Sequence, residues 1–155
     1  MERQDKLDPI IGAIATRGWC VVPGFMDASA LRSLCRARHA GGGFHHAGIG
    51  SGLAKVMDEV RGDDILWLEQ DDPDAAAQAY LLEMEALRQA ANRELFLGLD
   101  HLEAHFAVYP AGGYYRKHLD RFRDDDRRTL TAIVYLNEAW TAEDGGLLRF
   151  WPDPA

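Results

Sequence analysis

Cysteine is scarce in this chain: Cys20 and Cys35 are the two in 155 residues, too few for a disulfide framework or a zinc knot of their own. They are expected as buried or half-buried free thiols. Long hydrophobic runs are missing as well. The longest near the start, Ile10-Ile11-Gly12-Ala13-Ile14-Ala15, is far short of the ~18 residues a membrane-spanning helix needs. The opening Met1-Glu2-Arg3-Gln4-Asp5-Lys6 is not followed by a hydrophobic region of signal-peptide kind, so the expectation is a cytoplasmic protein with no membrane partner. Basic side chains are outnumbered, 17 against 25 acidic ones, for a formal charge of −8. That balance argues against nucleic acid as a partner, because binding a phosphate backbone takes basic surface. Repeats and low-complexity tracts are also absent. What is present, 47% hydrophobic and 27% charged residues, describes one globular domain over 1–155 and excludes a disordered tail, a collagen-like repeat or a coiled coil.

The first hundred residues read as mostly helical support. Leu7, Ile10, Ile11 and Ile14 share one face of a helix over Leu7–Thr16, which Gly18 would stop. Trp19–Pro23 reads as a short buried strand. Asp27 is a good N-cap for a helix over Ala28–His39, with Leu31, Leu34 and Cys35 at helical spacing. The glycine-rich stretch Gly41–Ser51 predicts a loop. Asp64–Leu68 predicts a strand, and Asp72-Pro73 opens a long helix running to about Leu97, with Gly98 at its end. Beyond Gly98 the hydrophobic period changes to two. Strands are predicted over Leu102–Tyr109, Tyr115–Asp120, Thr129–Asn137 and Leu147–Trp151, separated by Gly- and Asp-rich turns. Helices followed by antiparallel strands make an α+β pattern.

The pair most suggestive of chemistry is His118-Leu119-Asp120. On a strand, residues two apart project from the same face, so an imidazole and a carboxylate could share one metal ion. With a second histidine they would form the two-histidine, one-carboxylate triad of non-haem iron oxygenases. Alone the motif is weak, since a surface His and Asp beside a turn has the same spacing.

The surrounding residues make it specific. Gly113-Tyr114-Tyr115-Arg116-Lys117-His118-Leu119-Asp120, Leu130–Asn137, Trp140 and Gly145-Gly146-Leu147-Leu148-Arg149-Phe150 resemble the 2-oxoglutarate- and Fe(II)-dependent dioxygenases. The resemblance is to the prolyl 4-hydroxylase branch, typified by the hypoxia-factor prolyl hydroxylases and their bacterial relatives. Arg61-Gly62-Asp63-Asp64-Ile65-Leu66-Trp67 and Ala107-Val108-Tyr109-Pro110 resemble segments of the same branch in the same order, so the match extends over about residues 19–152.

The resemblance implies a double-stranded β-helix (jelly-roll) oxygenase fold, with residues 1–100 as helical support and lid loop and 101–155 as the first barrel strands. It implies His118 and Asp120 as iron ligands and catalytic centre. It further implies that Tyr135 holds the distal carboxylate of 2-oxoglutarate, that Tyr109 is a pocket tyrosine beside that cosubstrate, and that Leu148 is an apolar wall. Residues 47–60 would be the lid over a peptide or protein substrate, prolyl by resemblance. Fe(II), 2-oxoglutarate and dioxygen would be required, with ascorbate as a further candidate cofactor. Alternation puts Tyr135 on one face with Thr131 and Ile133, which suits an inward-facing tyrosine, with a core aromatic as the lesser alternative. Arg149 should face solvent, and His45 and His46 are read as surface residues. His105, on a face with Ala107 and Tyr109, reads as a hydrogen-bonded pocket histidine in preference to an iron ligand.

The family pattern also contains a second histidine ligand and an arginine for 2-oxoglutarate, both beyond the metal motif, and no histidine follows His118. The expectation is therefore a C-terminally truncated barrel with impaired activity. A competing expectation is a non-catalytic binding module that keeps an oxygenase half-barrel, with self-association through exposed barrel edges.

Overall fold

The computed structural model describes residues 3–47, 61–118, 120 and 128–151. Helix α1 (Arg3–Arg17) starts earlier than its apolar stripe requires and carries Pro9 inside it; Leu7, Ile10 and Ile11 are buried as their spacing predicts. Helix α2 (Ser29–Ala40) buries Leu31 and Cys35. Asp27 accepts from the Ser29 backbone N–H at 2.9 Å, so it supports the start of α2 from two residues upstream. Helix α3 (Ala75–Leu95) is capped by Asp74, whose side chain accepts from the Ala76 N–H. Asp72, the predicted opening residue, instead pairs bidentately with Arg38 of α2 at 2.6 and 2.7 Å. It also accepts from the Asp74 N–H, so it ties α2 to the entrance of α3. At the other end Phe96 (φ 54°) takes the left-handed cap conformation, ahead of the glycine expected to end the helix.

Three strands form an antiparallel sheet in the order β1-β2-β3. They are β1 (His45–His46), β2 (Asp64–Leu68) and β3 (Ala104–Val108). The β2–β3 register places Leu66 opposite Phe106, Leu68 opposite Ala104 and Trp67 opposite His105. Because directly opposed residues share a face, the Leu66–Phe106 face meets the helices and the Trp67–His105 face looks away from them. Phe106, Ala104 and Leu68 pack with Leu31, Cys35, Ala77 and Leu81 in one core cluster. A second cluster joins Leu7, Ile10 and Ile11 of α1 to Leu87, Ala90 and Ala91 of α3. Cys35 is buried and Cys20 half-buried, both free, as expected.

Several expectations are corrected. Trp19–Pro23 is not a buried strand but largely exposed irregular chain leading into a turn at Pro23-Gly24, with Val21 78% accessible. Gly18 and Gly24 flank it at positive φ, and Pro23 lacks an N–H to give to a ladder. The glycine-rich stretch does pair briefly, through β1. Thr129–Asn137 and Leu147–Trp151 carry no strand pairing, and around Tyr115 one isolated bridge, Arg61 with Tyr115, replaces the expected strand. A strand persists only where a neighbour completes its hydrogen bonds, and among the described residues these segments face none. The architecture is α+β with a small antiparallel sheet. Residues 48–60 of the expected lid lie outside the described residues.

Candidate functional site

The site sits beside the sheet face that looks away from the helices. Its frame is a backbone pairing between residues 61–63 and 113–115. The Gly62 N–H donates to the Tyr114 carbonyl at 3.0 Å, next to the Arg61–Tyr115 bridge. The turn at Pro110–Gly113 closes with the Gly113 N–H donating to the Pro110 carbonyl. A Cβ at Gly113 would lie 2.9 Å from the Pro110 carbonyl oxygen and 3.1 Å from that of Gly62, so only glycine lets the two backbones approach this closely.

His118 and Asp120 are brought together as expected: Nε2 lies 3.0 Å from Oδ1. The other ring nitrogen, Nδ1, is 2.6 Å from the Arg116 carbonyl oxygen, which can only accept, so Nδ1 carries a proton. A neutral ring then points the Nε2 lone pair at a carboxylate oxygen. That contact is satisfied either by an imidazolium or by a cation between the two atoms. Two donors at right angles about an ion, each ~2.1 Å from it, lie ~3.0 Å apart, so the spacing fits a shared metal. The remaining carboxylate oxygen, Oδ2, accepts from the Thr131 hydroxyl at 2.7 Å. Support of each ligand by a neighbouring group is the usual arrangement around metal-binding imidazoles and carboxylates. A nitrogen and oxygen donor set suits Fe(II), among other divalent ions. Among the described residues no group of three His, Cys, Asp or Glu side chains converges.

The other expected residues are placed less uniformly. Tyr109 directly follows the strand that carries His105, and its phenol is pushed up to about 12, first by desolvation and then by the Asp63 charge. It stays protonated, and so a donor, at any working pH. Tyr135 is 57% accessible and its hydroxyl donates to the Gly146 carbonyl at 3.4 Å, a link between the 129–137 and 145–151 segments. It is therefore not a core aromatic. Leu148 is 64% accessible and packs into neither core cluster. Arg149 is exposed, as expected. His45 is exposed, whereas His46 is half-buried and pairs with Asp64 at 3.1 Å. The His105 ring lies against Trp67, centroids 4.8 Å apart. Its pKa is lowered, first by desolvation and then by the Arg61 charge, which favours the neutral imidazole.

Residues that motif reading left without a role are prominent here. Asp63 is fully buried and held by Arg61, and Tyr115 stacks on His118. The Arg-x-Asp spacing of Arg61 and Asp63 was the available signal, since side chains two apart along extended backbone project together.

The His-x-Asp pair lies beside a small sheet braced by helices, and comparison with known proteins gives the class. The sequence profile of the 2OG-Fe(II) oxygenase superfamily matches residues 104–155. Human "Egl nine homolog 1" is 30% identical over 155 residues, covering 95% of this chain and 36% of that protein. The Caenorhabditis elegans "Hypoxia-inducible factor prolyl hydroxylase" is 28% identical over 160 residues, covering 93% of this chain and 22% of its own length. Among solved structures, a Pseudomonas putida prolyl-4-hydroxylase superposes with a TM-score of 0.78 at 44% identity, covering 90% of this chain and 72% of that one. This chain belongs to the 2OG-Fe(II) oxygenase superfamily and is related to prolyl hydroxylases. It spans well under half the length of the human and nematode relatives.

Proposed function

We propose that this chain forms the iron- and cosubstrate-binding part of a 2-oxoglutarate-dependent dioxygenase that hydroxylates a prolyl residue in a peptide or protein. The observation that carries the reading is the 3.0 Å approach of His118 Nε2 to Asp120 Oδ1 with Nδ1 already committed to a carbonyl. The prolyl preference rests on the names of the nematode and bacterial relatives.

In this reading His118 and Asp120 hold Fe(II), and Thr131 keeps the second carboxylate oxygen of Asp120 turned away from the metal. Tyr109 and Tyr135 offer phenolic donors to the carboxylate of 2-oxoglutarate, and Leu148 supplies an apolar wall. Dioxygen would be the oxidant: bound Fe(II) would activate it, and its four electrons would come two from oxidative decarboxylation of 2-oxoglutarate to succinate and carbon dioxide and two from the C–H bond that is hydroxylated. The chain's own share is orientation and, through the lid in residues 47–60, exclusion of water. Ascorbate is proposed as an accessory reductant and the cytoplasm as the location. Residues 1–155 are proposed as one domain of double-stranded β-helix type. With no histidine after His118, these residues alone offer two of three ligands and are proposed to turn over poorly. The exposed segments 129–137 and 147–151 are proposed as a route to self-association.

A second reading, a binding module without chemistry, is favoured by the exposure of Tyr135 and Leu148. The two separate when the chain is incubated with Fe(II), 2-oxoglutarate, ascorbate and a set of proline-containing peptides. Succinate release matched by a peptide mass gain of one oxygen atom supports the oxygenase. Peptide binding with neither product, at any loading of iron and 2-oxoglutarate, supports the module.

A further inference from the structure

A buried carboxylate needs a partner, and the one Asp63 has reaches the metal ligand. Asp63 is 0% accessible, and Arg61 answers it with two parallel bonds, Nε to Oδ1 at 2.7 Å and an Nη to Oδ2 at 2.9 Å. Bidentate pairing fixes the guanidinium plane as well as its position. The face so oriented lies over the Tyr115 ring, 4.8 Å from its centroid. Tyr115 in turn stacks on His118, centroids 3.5 Å apart and planes within 18°. The backbone pairing of 61–63 with 113–115 sets the spacing of this column.

We propose that Arg61 and Tyr115 are positioning residues that hold the His118 ring in its metal-facing orientation, with Asp63 as the anchor of the clamp. The proposal rests on the reading of His118 as a metal ligand. A histidine on irregular, exposed chain would otherwise sample several rotamers, and ordering them at the moment of binding weakens binding. The Nδ1 bond to the Arg116 carbonyl holds one edge of the ring and the Tyr115 stack holds its face. Together they restrict rotation about both side-chain torsions before any ion arrives. Asp63 acts only through Arg61, and Arg61 through the Tyr115 face.

The test uses the whole chain, first without metal. In histidine NMR spectra, the ring resonances lost in His118→Gln identify His118, and in the unaltered chain the Tyr115 ring current displaces them upfield. Tyr115→Leu should return them towards unstructured values and weaken Co(II) binding by about tenfold, the lower end of the ~10–100-fold seen when a ligand's supporting partner is removed. Tyr115→Phe should keep both properties. Arg61→Lys keeps a charge for Asp63 but loses the planar face, and should shift the resonances part way with a several-fold loss of Co(II) affinity. A clamp that merely ties 61–63 to 113–115 predicts no change in Arg61→Lys. The proposal is overturned if folded Tyr115→Leu, or Arg61→Lys where Tyr115→Leu does not fold, leaves the His118 resonances and Co(II) affinity at their starting values. If His118→Gln binds Co(II) undiminished, the metal reading itself fails, whereas the resonances report the clamp independently.

Discussion

Two parts of this molecule carrying similar proportions of apolar residues are held in different ways. Up to Val108, apolar side chains meet across α1, α2, α3 and the sheet, and Phe106, Leu31 and Leu81 are almost completely buried. From 128 to 151, Leu130 and Leu136 dip into the two core clusters, while Ile133, Tyr135, Leu147, Leu148, Phe150 and Trp151 stay exposed. That second part is fastened at points: Arg128 to Glu103 at 2.7 Å, Arg32 and Arg36 to Glu138, and the Phe150 ring near that of Trp19 at 6.2 Å. Exposed ion pairs of this kind contribute little each, ~0–1 kcal/mol. The difference teaches where rigidity originates. The proposed metal pair, His118 and Asp120, lies at the seam, and the proposed clamp reaches it from the packed side through Asp63, Arg61 and Tyr115.

The contrast can be broken by substitution. Phe106→Ala should cost ~3–5 kcal/mol in chemical denaturation, because a buried aromatic leaves a cavity between sheet and helices. Arg38→Ala strands the nearly buried Asp72 carboxylate and should cost ~1–3 kcal/mol. Asp74→Ala removes the cap of α3 and should cost ~1 kcal/mol, measured the same way. At the other extreme Leu148→Ala should change stability by less than ~0.5 kcal/mol. A cost there comparable with that of Phe106→Ala would mean that the second part is packed and the contrast false.

Titration sharpens the same contrast at the seam. His105 has a lowered pKa because its ring is desolvated beside Trp67 and close to Arg61. Below the unfolded value of ~6.5 the unfolded chain therefore binds more protons than the folded one. Stability should fall as pH drops through that value and go on falling until the lower folded pKa is passed. Thermal melts of His105→Gln across this range should show a flatter profile than the unaltered chain. The carboxyl of Asp72 is held below its ordinary range, first by Arg38. The stability it contributes is present above the unfolded carboxylate value and is lost in stronger acid, as pH falls through the depressed folded value.

Much of the supporting architecture was legible in the residues. The stripe Leu7, Ile10, Ile11, the α2 pair Leu31 and Cys35 and the strand Asp64–Leu68 are found as read, because each depends on local periodicity, whereas His118 and Asp120 meet on irregular chain and not on the expected strand. What was not legible depends on partners. Among the described residues, Val21 and Val22 look strand-like but have no neighbour to pair with, and Thr129–Asn137 alternates without a ladder. The helix expected to open at Asp72-Pro73 starts at Ala75, capped by Asp74, while Arg38, distant in sequence, claims the Asp72 carboxylate. The Asp63–Arg61–Tyr115–His118 column joins residues more than fifty positions apart, so no window of sequence displays it.

In the proposed function His118 and Asp120 form one metal site. Titration of the chain with Mn(II), followed by the loss of the free-ion electron paramagnetic resonance signal, tests it most directly. Saturable binding of one ion per chain is expected, lost in both His118→Ala and Asp120→Ala and retained in Leu148→Ala. Equal Mn(II) binding by the unaltered chain, His118→Ala and Asp120→Ala would contradict it.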